Sequence, residues 1–229
     1  MIFDGHSDIF SDVRYKREAG ETQVLKNHHL DRLRKGGIGG ACFVIWADTY
    51  NGHAPKDEME AIVKGIKGEM AETKEFVLIH NVEELKAAEA AGKFAILLGI
   101  EGLAGIGEDL SKIDELYDLG ARHAMLTWNE ENALATGVKG DPNRGVTELG
   151  KQAIKKLQEK KMILDVSHIN EKSFWDVIDL ATGPILASHS NAKALASAAR
   201  NLTDDQLRAI RDTNGLVGLN AFGDFISDN

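Results

Sequence analysis

Several things are scarce in this chain, and each scarcity narrows its chemistry. One cysteine, Cys42, in 229 residues excludes an internal disulfide framework. It lies in the apolar run ACFVIWA, where a small buried hydrophobe is the plain reading. Three prolines and no Gly/Ser-rich tract leave no segment with linker composition, so a single domain over residues 1–229 is expected. A formal net charge of −9 without a basic cluster argues against a nucleic-acid partner, because phosphate contact needs a cationic face. No apolar run approaches the roughly 20 residues of a membrane-spanning helix. The opening MIFDGHSD has neither the cationic start nor the apolar stretch of a secretory signal. A cytoplasmic protein with no membrane partner is expected.

What is present is an alternation. Apolar runs rich in β-branched and aromatic residues recur at residues 2–9, 40–47, 94–102, 123–129, 162–168, 184–190 and 216–222, with a weaker run at 76–80 outside the series. Amphipathic segments with helix-start signals lie between them. Asn81 with Glu84 and Thr203 with Gln206 have capping-box spacing, while Ser111, Thr147 and Asn170 are further candidate caps and Gly120 a left-handed stop. This is the pattern of βα units on a parallel sheet. Polar residues at the carboxyl ends of at least five runs favour a barrel over an open sheet, which would gather its ligands at one switch point. The expected fold is a TIM-like (β/α)8 barrel, with about seven barrel strands in this chain.

The strand-end residues are His6, Asp8, Glu101, Asn129, His168 and His189. His6 and Asp8, two apart on a strand, would project to one face and could grip a cation, or simply hydrogen-bond to each other. Glu101 follows ILLGI, where a carboxylate can bridge two cations or serve as an ordinary loop acid. His168 and His189 each end a buried-looking run after a serine, as ligands or as structural imidazoles. Together these residues could hold two metals and acidify a water between them, which is hydrolytic chemistry. His28, His29 and His53 read as solvated, and His80 and His123 as structural. Phe174 and Trp175 read as core. No serine sits in a G-x-S-x-G elbow, and no phosphate-binding glycine loop follows a strand.

DGHSDI, LLGIEG, LDVSHIN, ASHSNAKAL and ARNLTDDQLRAIRDTNGLVGLN, in this order, resemble the motifs of the membrane (renal-type) dipeptidase family, the M19 metallopeptidases, in its bacterial branch. The resemblance covers the chain and implies a TIM-like (β/α)8 barrel of the metal-dependent hydrolase type, incomplete at the C-terminus. It implies that His6 and Asp8 bind one zinc, His168 and His189 a second, and that Glu101 bridges both, for a hydroxide between two metal ions that hydrolyses the peptide bond of dipeptides. It implies that Arg200, in ARNLTDD, binds the substrate's terminal carboxylate, which a planar guanidinium can grip through both oxygens. Trp128 and Asn129, in LTWNEEN, fall where the family contacts substrate.

Three departures stand out. Ser7 replaces an asparagine of the opening motif, and Trp128 replaces a histidine that contacts the developing oxyanion; an indole N–H can donate a hydrogen bond but supplies no acid. The family also continues to an eighth strand bearing an aspartate in a GSDFDG-like segment, so the chain is expected to be truncated at its C-terminus relative to the family. Two alternatives follow: a non-catalytic truncated barrel that retains the metal site, or an amidohydrolase acting on another small amide. The resemblance leaves a homodimer open.

Overall fold

The computed structural model describes residues 1–47 and 52–228. They form two compact units interleaved in sequence, Met1–Ile100 with Glu115–Arg122 and Glu101–Asp114 with His123–Asn229. In the first unit β1 (Ile2–Ser7) pairs in parallel with β2 (Ile38–Trp46), and β3 (Phe76–Leu78) pairs in parallel with β4 (Phe94–Glu101). The order is β1-β2-β4, with β3 off this path on β4, as the weaker run at 76–80 predicted. Residues 41–45 of β2 are all buried, which suits a strand covered on both faces. Cys42 is among them. An aromatic chain packs this core: Phe10 meets Phe43 edge-on at 5.5 Å between centroids, Phe43 stacks on Phe94 at 5.5 Å, and Phe94 meets Phe76 at 5.2 Å.

The unit also buries an acid. Glu69, fully enclosed in the helix Pro55–Glu72, accepts from Arg17 Nη1 at 3.1 Å, Leu25 N at 2.8 Å and Thr73 Oγ1 at 2.8 Å. His28 and His29 do not open a helix. They sit inside a π-helix, Leu25–Leu30, and His29 is largely buried with Nε2 2.8 Å from Asp12. His28 also meets a carboxylate, with Nε2 2.5 Å from Glu21 Oε2, so each ring has a protein partner beside its solvent contact.

The second unit carries β5 (Ala121–Met125) from His123 on, with β6 (Ile163–Asp165), β7 (Ile185–Ala187) and β8 (Leu216–Val217), each parallel to the next. Thr147, Asn170 and Thr203 cap their helices as their side chains accept from Gly150 N, Ser173 N and Gln206 N, and Thr203 with Gln206 completes a capping box. In the first unit Asn81 accepts from Glu84 N in the same way. Ser111 stands directly before the helix Lys112–Leu119, and its hydroxyl donates to Asp109 Oδ1 at 2.6 Å. The helix Glu148–Glu159 buries Gly150, Ala153, Ile154 and Leu157, one stripe at helical spacing. Among the described residues no helix is long and apolar enough to cross a membrane.

The last four strands are shorter than the apolar runs that predicted them. β6 ends three residues before His168, and β7 two residues before His189. The candidate ligands therefore lie on the turns that leave the strands, where backbone amides turn to side-chain acceptors instead of a ladder.

Candidate metal centre

In the first unit, His6 lies near the end of β1, where the pairing with β2 is irregular between Asp4 and Ser7, and its amide donates to Asp4 Oδ1 at 3.2 Å. Asp8 is not on the strand, so pleat geometry does not align the pair as expected. It precedes the helix Ile9–Glu18, and its carboxylate makes no capping bond there. The side chains still meet, with His6 Nε2 3.4 Å from Asp8 Oδ1.

In the second unit, Glu101, His168 and His189 converge. Glu101 Oε1 is 2.8 Å from His168 Nε2 and 3.6 Å from His189 Nε2, and the two Nε2 atoms are 2.7 Å apart. All three residues are buried. The far side of each imidazole is also engaged: Asn129 Oδ1 lies 2.9 Å from His168 Nδ1, and Ser188 Oγ lies 2.9 Å from His189 Nδ1. An imidazole whose Nδ1 is held this way is fixed in orientation and presents Nε2 to the centre. Two imidazole nitrogens and a carboxylate oxygen, buried and packed this closely, form a donor set that fits a divalent cation of the zinc type.

The backbone bends to make this possible. His168 has φ +74°, a left-handed conformation that costs a histidine on the order of 1–3 kcal/mol, and its carbonyl is pinned by Val138 N at 2.9 Å. Gly102, after Glu101, has φ +81°, and a Cβ there would stand 2.8 Å from Trp128 N. Only glycine lets the segment after Glu101 pass this close to Trp128.

Arg200 is buried at 7% exposure beside these residues; Nη2 donates to the His189 carbonyl at 3.3 Å, and Nε has no hydrogen-bond partner among the described residues. It lines a small cavity with His168, Lys193, Asn201 and Gln206. Burial pushes its pKa down to about 10, against the opposing pull of the Glu101 and Asp165 charges, so it remains a cation at neutral pH. Trp128 packs its ring 6.0 Å from that of His168, with Lys139 Nζ 5.8 Å from the indole centroid. The contact observed for Asn129 is the one that orients His168.

Sequence reasoning left His123 in a structural role and passed over Asp165. Both are fully buried, with His123 Nε2 2.7 Å from Asp165 Oδ2. Burial alone would raise the Asp165 pKa, but the hydrogen bond and charge of His123, with further help from His189 and Ser188, hold it well below the usual carboxylate range. The signal was an acid inside the otherwise apolar run MILDV.

Known proteins fit this arrangement. The family model of membrane dipeptidase (peptidase family M19) matches residues 1–229. An uncharacterized protein from the PQQ-III 3′ region of Acinetobacter calcoaceticus is 31% identical over 96% of this chain and 79% of its own length. An uncharacterized dipeptidase of Schizosaccharomyces pombe (strain 972 / ATCC 24843) is 29% identical over 98% of this chain, which spans 60% of that relative. Among solved structures, a metallopeptidase from Rhodobacter sphaeroides, liganded with a phosphinate mimic of the dipeptide L-Ala-D-Ala, superimposes with a TM-score of 0.89 at 27% identity, covering 99% of this chain and 75% of its own. Dipeptidase AC, a metallopeptidase of family M19, gives a TM-score of 0.88 at 27% identity over 98% of this chain and 74% of its own. The expected fold class is that of these enzymes, a TIM-like (β/α) barrel of which this chain spans about three-quarters. The chain belongs to the membrane dipeptidase family, peptidase family M19, and with it to the metallopeptidases.

Proposed function

We propose that this chain is a zinc-dependent dipeptidase acting as a single barrel domain, with His6, Asp8, Glu101, His168 and His189 as ligands of two ions and Glu101 shared between them. The observation that carries the reading is the convergence of Glu101 Oε1 with the Nε2 atoms of His168 and His189, inside 3.6 Å and out of water. The His6–Asp8 pair supports it from the other unit, with two further donors 3.4 Å apart. The family match over the whole chain supports a single domain. Two ions held by these residues would supply a water acidified to hydroxide at neutral pH and a Lewis acid for the carbonyl.

The chain's own residues supply the rest. Arg200 offers a buried guanidinium whose Nε has no hydrogen-bond partner among the described residues, and a dipeptide's terminal carboxylate gives it acceptors and a direct counter-charge. Asn129 acts through His168, which it orients. Trp128, packed on the His168 ring, walls the substrate and offers an indole N–H where the family has a histidine. The substrate class is a dipeptide, by analogy with the Rhodobacter structure and its dipeptide mimic.

The test is turnover of a panel of L-L dipeptides, L-D dipeptides and N-acyl amino acids by purified protein, before and after chelation. Dipeptide cleavage that is lost in chelator and restored by zinc is expected. Cleavage by metal-free protein contradicts the reading, and turnover of N-acyl amino acids alone moves it to an amidohydrolase.

A further inference from the structure

The sequence repeats Ser-His at two strand ends, SH at 167–168 and SH at 188–189. The structure gives the repeat a common anchor. Asp165, the last residue of β6, accepts from Ser167 N at 2.7 Å through Oδ1 and from Ser188 N at 3.1 Å through Oδ2. Those are the amides of the residues immediately before His168 and His189. One carboxylate therefore holds both turns on which the candidate ligands ride. Ser167 and Ser188 finish the arrangement: His189 N donates to Ser167 Oγ at 3.3 Å, and Ser188 Oγ meets His189 Nδ1 at 2.9 Å.

A carboxylate with no exposed side-chain surface costs several kcal/mol to bury unless a partner offsets it. That partner is His123 on the neighbouring strand β5, whose Nε2 reaches Asp165 Oδ2 at 2.7 Å. A buried acid used only for packing would be replaced at less cost by an apolar residue, yet this one sits where it can reach both turns at once.

We propose that Asp165, held by His123, is the positioning residue of the metal centre, setting the separation of His168 and His189 through the amides that precede them. The inference rests on the reading of those histidines as metal ligands. Asparagine at 165 is isosteric, but its NH2 faces donors at Ser188 N or Ser167 N, so one of the two turns must be released.

The experiment measures zinc affinity by competition with a chromophoric chelator, and the visible spectrum of the cobalt-loaded protein, for wild type, Asp165→Asn, His123→Phe, His123→Gln and the remote Glu69→Gln. Asp165→Asn should bind zinc about 10–100-fold more weakly and shift the cobalt spectrum, while its metal-free far-ultraviolet circular dichroism stays that of wild type. His123→Phe should follow it, and His123→Gln, which keeps a donor, should recover affinity to within a few-fold. Glu69→Gln lowers stability without moving either readout, which separates positioning from general destabilisation. Should Asp165→Asn fail to fold, the His123→Phe and His123→Gln pair decides the matter alone. Wild-type affinity and spectrum in Asp165→Asn or in His123→Phe overturn the inference while leaving the metal reading intact. A wild-type protein that binds no zinc overturns both.

Discussion

Glu69 and Glu101 are buried carboxylates in different units of this molecule, and their partners differ. Glu69 is matched by Arg17 together with a backbone amide and a threonine hydroxyl. Glu101 is matched by two imidazoles, His168 and His189. A guanidinium has donors only and stays protonated, so the Glu69 network can neutralise charge and nothing more. An imidazole can expose a lone pair, so the Glu101 cluster can exchange its internal contacts for a cation. Burial is common to the two sites; what separates structure from chemistry is whether the partner can become a ligand.

Breaking the structural network gives the largest effect on stability. Glu69→Gln turns an NH2 either against Leu25 N and Thr73 Oγ1, which share Oε1, or against Arg17 Nη1 on Oε2, and it removes one of the charges that face Arg17; the cost should be about 3 kcal/mol in chemical denaturation. Dipeptide turnover per folded molecule should not change. A Glu69→Gln protein of normal stability but impaired turnover would erase the distinction between the two sites.

The comparison sharpens at Arg200, a buried guanidinium whose Nη2 donates to the His189 carbonyl and whose Nε has no hydrogen-bond partner among the described residues. Arg200→Lys keeps the charge but loses the fork, and kcat/KM for dipeptides should fall about 30-fold, roughly 2 kcal/mol. The fall should appear in KM, because the terminal carboxylate keeps its charge through the reaction and is gripped alike in ground and transition states. An unchanged KM would remove Arg200 from substrate binding.

The smallest effect belongs to the exposed edge of the first network. Hydrogen bonds from Arg17 lower the Glu72 pKa from 4.5 to about 2, against a weaker opposing desolvation. A carboxylate with a depressed folded pKa stabilises the fold above its unfolded value and loses that contribution as pH falls through the folded one. Thermal stability should therefore decline between pH 4.5 and about 2, and Glu72→Gln should decline less across the same window. Parallel curves for the two proteins would show that the Arg17 contact contributes nothing measurable.

Much of this was legible in the sequence. Helix caps at Asn81, Thr147, Asn170 and Thr203 could be read because a cap is a local event, satisfied by amides two or three residues away. The strands could be located, and the weak run at 76–80 was rightly set outside the series, because buried parallel strands are apolar throughout. Their ends could not be read. A run such as MILDVSH stays apolar past the point where the ladder stops, and what stops it is Asp165 taking amides from two turns, one 23 residues away in sequence. The contact of Asn129 with His168 was out of reach for the same kind of reason: it spans 39 residues, and no local pattern announces it. The candidate ligands were found from their shared position near strand ends. The residues that orient them were invisible until the turns were brought together.

The central claim, that Glu101 is a carboxylate shared by two ions, is tested most directly by calorimetric titration of zinc into metal-free wild-type and Glu101→Gln proteins. Wild type should take up two equivalents, and Glu101→Gln should lose tight binding at both. A wild-type protein that binds no zinc, or a Glu101→Gln protein that still binds two equivalents with wild-type affinity, would contradict it.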